Sequence, residues 1–314
     1  MKNKMKVVAL AGGVGGAKLV DGLAQCLAAD QLSVIVNTGD DFNHLGLSIS
    51  PDLDTVCYTL ASLANPQTGW GREGESWRTL NEITRLNGNG WFNLGDLDLA
   101  THLVRTQRLQ EGHLLSQITR DFCLKWGVSV PVYPMSDTPV RTFILAADGR
   151  RIPFQEYFVK EKCLPEVTSI EFMGIETAVA PTQAMQDLHK ADLVIICPSN
   201  PFVSIDPILA VPGIRDVLMK KKILAVSPLI GDKALKGPAA KMFQELGFPS
   251  NSTQVARHYQ SILSYFILDK GDEEQIPAIE GCGIMCEAMN IFMSDHADRK
   301  RLAAEVLSFL EKNT

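Results

Sequence analysis

Apolar and glycine-rich segments alternate in a regular order near the N-terminus of the chain. Met5 to Leu10 is apolar apart from Lys6, as in a buried strand, and a glycine-rich turn follows it. Helical spacing of apolar residues runs from about Ala17 to Ala28, and Leu32 to Val36 is a second strand, apolar and β-branched. This order predicts a strand–helix–strand unit with parallel strands and a right-handed crossover.

Two further apolar runs indicate more strands of the same sheet. They are Leu193–Cys197 and Ile223–Val226, each followed by a proline-bearing loop, with a helix predicted near Pro212–Lys220 between them. Runs that are apolar at every position are typical of strands covered by helices on both faces. The C-terminal predictions are strands at Ile262–Leu268 and Gly283–Cys286 and a final helix at Ala297–Leu310.

The middle of the chain has a different pattern. Residues 52–126 show helical periodicity and turns without a convincing strand. Val140–Leu145 and Arg151–Phe154 then predict a hairpin, with a type I′ turn at Asp148-Gly149. We therefore predict one doubly wound α/β domain over residues 1–314, with a mainly helical insertion at about 55–128.

Composition narrows the class of protein. The chain has 314 residues, 46% of them hydrophobic, and a formal net charge of −6. No apolar run reaches the ~20 residues of a membrane span, and the acidity argues against a general nucleic-acid binder. The seven cysteines are scattered and odd in number, which favours reduced thiols and a cytoplasmic location. A phosphate ligand would need a local device, such as a helix N-terminus or a metal.

The segment Ala11-Gly12-Gly13-Val14-Gly15-Gly16-Ala17-Lys18 is the first candidate for such a device. Glycines after a first strand let the backbone approach an anion at a helix N-terminus. The segment matches neither the dinucleotide fingerprint nor the P-loop, because Ala17-Lys18-Leu19 stands where those patterns need other residues. The alternative is a tight turn that binds nothing.

Aspartates concentrate in three short segments, Asn37-Thr38-Gly39-Asp40-Asp41, Ser50-Pro51-Asp52-Leu53-Asp54-Thr55 and Asp96-Leu97-Asp98-Leu99-Ala100-Thr101-His102. The plain interpretation is local capping: Ser50 as N-cap, Pro51 at the first helical position, Asp52 in the first turn, and Asp96 as another N-cap. Capping does not require Asp54. The clusters also suit a divalent cation that carries a diphosphate.

Another candidate lies where the predicted strand Leu193–Cys197 ends, at Pro198-Ser199-Asn200-Pro201. Ser199 and Asn200 could contact a base or a phosphate, and a plain Asx turn is the alternative. No Gly-x-Ser-x-Gly elbow is present, so nucleophilic hydrolysis has no support.

Taken together, these segments resemble the 2-phospho-L-lactate transferases of coenzyme F420 biosynthesis, from about Val7 to the final helix. The segments that carry the resemblance are the glycine loop, Asn37–Asp41, Ser50–Thr55, Leu94–His102, Pro198–Pro201 and Ser227–Ile230.

The resemblance implies a Rossmann-like core, a magnesium-dependent transferase and a homodimer. A guanosine diphosphate-linked donor would give a phospholactyl or phosphoenolpyruvyl group to the ribityl hydroxyl of the deazaflavin Fo, releasing GMP. Such chemistry needs positioning and charge neutralisation. The residues expected to act are Gly12, Gly13, Gly15, Gly16, Lys18, Ser199 and Asn200 on the donor; Asp40, Asp41 and Asp54 on magnesium; Asp54, Asp96, Asp98 and His102 on Fo; and Asp54 and Asp40 in catalysis.

One position departs from the family. Many members carry Arg or Lys between the two aspartates of Leu-Gly-Asp-x-Asp, a residue associated with Fo binding, and here Leu97 stands there. Arg105 or another basic residue could replace that cation, or the acceptor contacts could differ. Two other classes remain as alternatives: a non-catalytic nucleotide-sugar-binding regulator, and an NAD(P)-dependent oxidoreductase, which the failed fingerprint disfavours.

Overall fold

The computed structural model describes residues 5–231, 233–234 and 237–313. The strands are β1 Val7–Ala11, β2 Leu32–Val36, β3 Phe42–His44, β4 Leu47–Ile49, β5 Val132–Pro134, β6 Arg141–Ala146, β7 Arg151–Pro153, β8 Val167–Met173, β9 Leu193–Ile196, β10 Lys222–Val226, β11 Leu229–Ile230, β12 Lys233–Ala234, β13 Tyr265–Asp269 and β14 Met285–Met289. The α-helices are α1 Gly13–Cys26, α2 Pro51–Leu60, α3 Arg78–Arg85, α4 Asp96–Gln110, α5 Leu115–Lys125, α6 Thr182–Lys190, α7 Asp206–Ala210, α8 Ile214–Leu218, α9 Ala239–Glu245, α10 Ser252–His258, α11 Ile276–Glu280 and α12 His296–Asn313.

Seven parallel strands form the central sheet, in the order β14-β13-β10-β9-β1-β2-β5. From β1 the chain first builds outward through β2 and β5, and then returns to build the other side from β9. The strand order therefore reverses between β1 and β9. In open α/β sheets, the crevice outside the carboxyl ends of such strands is where ligands bind.

Helices cover both faces of this sheet, as the continuous apolar strands predict. Successive residues of β1 pack on opposite faces: Val8 and Leu10 join one buried cluster, and Val7 and Ala9 join the other. Helices α1, α2 and α12 pack together on the second face. The fold class predicted from the sequence, a doubly wound and mostly parallel α/β sheet, is confirmed.

Some boundaries differ from the predictions. Helix α1 begins at Gly13, within the glycine loop, and not near Ala17. The last strand of the sheet is β14, Met285–Met289, so it starts two residues after the predicted Gly283. Helices α2 to α5 lie between β4 and β5, in the stretch predicted to be mainly helical.

The predicted hairpin forms, but its turn is of another type. Strands β6 and β7 pair antiparallel, with Leu145 opposite Arg151, and β8 completes a three-stranded sheet. Gly149 has a φ of +85°, whereas Asp148 is not among the residues with positive φ. A type I′ turn needs positive φ at both central residues, so that prediction is wrong. None of the described helices combines the length and the apolar composition that crossing a bilayer requires.

Candidate functional site

The two central loops at the carboxyl edge of the sheet are joined by a pair of hydrogen bonds. The backbone N–H of Gly12, after β1, donates to Ser199 Oγ at 3.0 Å, and that hydroxyl donates to the Gly12 carbonyl at 2.8 Å. Beside this junction opens a cavity of about 570 Å³. The predicted site residues that line it are Gly12, Gly13, Gly15, Lys18, Asp40, Asp54, Asp98, His102, Ser199 and Asn200.

Close packing explains several of the glycines. A Cβ on Gly15 would overlap the Pro198 carbonyl, and one on Gly16 would lie 2.5 Å from Ser199 Oγ. Gly13 has a φ of +63°, a region that favours glycine. The glycine loop thus lets α1 start directly at the strand end and against the loop after β9, which places the helix N-terminus at the cavity.

Asp52 occupies this helix N-terminus. Its carboxylate accepts a hydrogen bond from the Gly13 backbone, one from Asn37 Nδ2 at 2.9 Å and one from Ser204 Oγ at 3.3 Å. Burial raises the pKa of the Asp52 carboxyl, although these hydrogen bonds oppose the shift. On sequence grounds the first turn of α2 accounts for Asp52, so it is a site residue that sequence reasoning missed.

Asp40 faces Asp52 across one shared amide. Asn37 Nδ2 lies 3.2 Å from Asp40 Oδ1, and Gln155 Nε2 donates to Asp40 Oδ2 at 2.8 Å. Burial, and then the charges of Asp52 and Asp41, raise the pKa of Asp40 well above its ordinary value. Two buried carboxylates repel each other when both are ionised, and a bound cation would stabilise their charged forms.

Asp41 points to the other side of the strand end. Ser50 Oγ donates to its Oδ2 at 2.8 Å, whereas Oδ1 is buried with no hydrogen-bond partner among the described residues. Burial raises the pKa of Asp41 to about 7, against the opposing charge of Arg141. Ser50 is the N-cap residue of α2 and Pro51 follows it at the start of the helix, as predicted, but the Ser50 hydroxyl makes no side-chain capping hydrogen bond.

Asp54 lies in a second group of buried polar side chains. Arg105 Nη1 donates to Asp54 Oδ2 at 3.0 Å, and Nη2 donates to Oδ1. His102 Nδ1 lies 3.7 Å from Asp54, and its Nε2 lies 3.4 Å from Asp98 Oδ1. Burial raises the pKa of Asp54 even though Arg105 opposes the shift.

Asp98 belongs to the same group. It accepts a hydrogen bond from the Tyr58 hydroxyl at 2.7 Å, and the same hydroxyl oxygen lies 2.9 Å from Thr101 Oγ1, from which it accepts. Burial would raise the pKa of Asp98, but the hydrogen bond and charge of His102 outweigh it and hold the pKa below its ordinary value. One ligand atom each from Asp54, Asp98 and His102 lie within 4.8 Å of one another.

Asp96 is not brought into this group. Gly95 is the N-cap of α4, so the prediction of Asp96 as N-cap is wrong. Its exposed carboxylate accepts hydrogen bonds from Ser76 Oγ and from the Thr79 backbone, away from the cavity. Leu97 beside it is 42% exposed and is not among the described residues that line the cavity.

The remaining predicted donor residues already have protein contacts. Lys18 reaches across the cavity, and its Nζ donates to the Met293 carbonyl at 2.5 Å. Asn200 Oδ1 accepts from the Phe202 backbone at 3.0 Å, which is the Asx turn that the sequence left as an alternative. Both residues line the cavity, so these contacts hold them at its wall.

Fold and site together define a doubly wound α/β protein that joins a glycine loop to two groups of buried acids. The family model described as 2-phospho-L-lactate transferase CofD matches residues 7–307. The chain belongs to this family and is a transferase enzyme.

Curated relatives are similar over nearly their whole length. A protein of Streptomyces griseus named phosphoenolpyruvate transferase is 40% identical, covering 98% of this chain and 99% of the relative. One of the same name from Mycobacterium tuberculosis is 39% identical, covering 93% and 94%. A solved structure of a UPF0052 family member from Bacillus halodurans matches with a TM-score of 0.64 at 13% identity, over 98% of this chain and all of that one, which shows the fold alone.

Proposed function

We propose that the protein transfers a phosphoenolpyruvyl or phospholactyl group from a guanosine diphosphate-linked donor to the ribityl hydroxyl of Fo, in F420 biosynthesis. The products would be (dehydro) F420-0 and GMP. The names of the relatives favour the phosphoenolpyruvyl donor. The observation that carries the proposal is that one cavity is lined by the glycine loop, by Asp40 and Asp52, and by Asp54 and Asp98.

The proposed reaction breaks one phosphorus–oxygen bond and forms another. The Fo hydroxyl attacks the distal phosphorus, GMP leaves with the bridging oxygen, and the hydroxyl proton passes to a base. The glycine loop, Lys18, Ser199 and Asn200 would hold the donor, as the sequence predicts, with the proposed cation offsetting the charge of Asp52 at the helix N-terminus. Asp54, with a raised pKa, is the first candidate for the base, and Asp40 is the second.

Magnesium would fit the group of acids next to the glycine loop. Asp40 and Asp52 are both buried and approach the same amide nitrogen, and Asp41 Oδ1 is buried without a hydrogen bond among the described residues. Carboxylates together with phosphate oxygens are ligands that Mg²⁺ prefers. We propose Asp40, Asp41 and Asp54 as ligands, as the sequence predicts, with Asp52 added. Asp41 is not among the described residues that line the cavity, and Asp54 lies with Asp98 and His102, whose ligand atoms are within 4.8 Å of one another, so these acids would have to draw together around the cation. The cation would neutralise charge on the transferring group.

The direct test is incubation with Fo, Mg²⁺ and, separately, the enolpyruvyl, lactyl and glyceryl donors. Product and GMP are detected by mass spectrometry. Product in equal amount to GMP is expected with at least one donor, and none without Mg²⁺. Tight nucleotide binding with no product from any donor would overturn the transferase proposal in favour of the regulator.

A variant at the second acid of α2 tests the role of that residue. Asp54→Asn keeps the shape of the side chain and can still accept a hydrogen bond from Arg105, whereas alanine would leave that buried guanidinium without a partner. We expect Asp54→Asn to lose most of its transfer activity, with a measurable residual rate, while its circular dichroism spectrum stays unchanged. The cytoplasmic location and the homodimer are part of the same proposal, and the dimer can be checked by light scattering during gel filtration.

A further inference from the structure

We propose that Arg105 is a positioning residue of the transfer reaction, which affects the rate chiefly through Asp54. The proposal rests on the proposed function and adds a residue to it. Arg105 is on α4 and is only 2% exposed. It is not among the described residues that line the cavity, whereas Asp54 is.

The contacts of the guanidinium fix the orientation of the Asp54 carboxylate. Nη1 and Nη2 each donate to a different oxygen of Asp54, so the carboxyl group cannot rotate about its last bond without losing both hydrogen bonds. A planar fork of this kind adds geometric specificity that a lysine ammonium does not give. The lone pairs of Asp54 that remain are therefore held in one direction.

Arg105 also orders a second cavity-lining side chain. Its Nη1 lies 3.1 Å from His102 Nδ1. Since a guanidinium can only donate, Nδ1 is the acceptor in this contact, and Nε2 on the other side of the ring lies 3.4 Å from Asp98 Oδ1. Arg105 thus holds Asp54 and His102 in fixed positions, on α2 and α4 respectively.

A purely structural role is the competing explanation, because any buried acid needs a partner. The two explanations differ in what a subtle change does. Arg105→Lys keeps the charge but loses the two-pronged contact, so the protein folds while Asp54 becomes free to turn. Misplacing a reactive group lowers the rate of the chemical step by as much as about 100-fold. The binding of a part of the substrate that lies far from that group is unaffected.

The test compares steady-state kinetics of Arg105→Lys with a control on the same helix. Arg108→Lys is the control, since Arg108 pairs with Asp121 at 2.8 Å outside the cavity. For Arg105→Lys we expect kcat to fall by about 10- to 100-fold with the KM of the guanylylated donor within about twofold. The control should change neither constant by more than about twofold.

A second comparison asks whether Arg105 acts through Asp54. In an Asp54→Asn background, Arg105→Lys should lower the residual rate by less than about twofold, because coupled residues are not additive. A further tenfold loss there, an unchanged kcat for Arg105→Lys alone, or a parallel rise in the donor KM would each overturn the proposal.

Folding failure and failure of the proposed function are separable from these outcomes. If Arg105→Lys does not fold, the double variant Arg105→Met/Asp54→Asn, which removes both charges, is compared with Asp54→Asn: an equal residual rate is expected, and a further tenfold loss would overturn the proposal. If the wild-type protein makes no product with any donor, the proposed function is refuted, and the role of Arg105 in it falls as well.

Discussion

The buried carboxyl group of Asp41 should make the free energy of unfolding depend on pH. Burial raises its pKa from 3.8 to about 7 in the folded state. Folding therefore favours the protonated carboxyl, and the folded state loses stability as the pH rises through the interval between those values. The full interval corresponds to about 4 kcal/mol, at about 1.4 kcal/mol for each pKa unit. Between pH 5 and pH 8 the folded state should lose about 3 kcal/mol of this stability.

Asp41→Asn removes the titration and keeps an oxygen that can accept from Ser50 Oγ. The difference in free energy of unfolding between the variant and the wild type should move by about 3 kcal/mol in favour of the variant from pH 5 to pH 8. Any fixed cost of the new amide cancels in this comparison. Urea denaturation in EDTA measures it, with Asp216→Asn as an exposed control.

A difference that stays constant between pH 5 and pH 8 would refute the assignment of the raised pKa to Asp41. The other buried acids titrate in both proteins, so they enter the difference only through the smaller effect of the Asp41 charge on the pKa of Asp40. Adding Mg²⁺ at pH 8 should stabilise the wild type more than the variant if the cation binds beside Asp41 as proposed, because it would offset the burial of a charge that the variant lacks.

Three further predictions address the cavity wall. Asp40→Asn should lower kcat by about 100-fold or more with an unchanged circular dichroism spectrum; near-normal turnover would remove Asp40 from the chemistry. Gly15→Ala should cost about 1–3 kcal/mol in urea unfolding, because the new Cβ overlaps the Pro198 carbonyl; a stabilised variant would show that the loop yields. Tyr58→Phe should cost about 1.5–3 kcal/mol in the same assay, since it removes the 2.7 Å hydrogen bond to Asp98; no loss would mean that water replaces the hydroxyl.

The central sheet could be predicted from the sequence because its strands carry their own signal. Residues of β1, β2 and β9 are buried at every position, so their apolar runs are continuous and easily recognised. The start of α1 could not be predicted in the same way. Glycine is a poor helix former, and Gly13–Gly16 become helical because the loop after β9 packs against them, a contact between segments far apart in sequence.

The same distinction separates Asp52 from Asp54. Both stand in the first turn of α2, where an acid is favourable in any helix. The carboxylate of Asp52 reaches the glycine loop, Asn37 and Ser204, whereas that of Asp54 reaches α4. No local pattern distinguishes them, since the difference arises from which neighbouring element each one faces across the helix.

Leu97 stands where many family members carry Arg or Lys, and it shows how contacts between distant segments change a functional interpretation. A basic residue at position 97 would stand between Asp96, at the start of α4, and the cavity-lining Asp98. The structure instead places a cation below the cavity wall, where Arg105 binds Asp54 from α4. A buried guanidinium cannot contact the acceptor, so it does not replace a surface cation in binding. It can still fix Asp54, the acid proposed to face the acceptor, and for that reason a loss of Arg105 should affect kcat more than the binding of the donor.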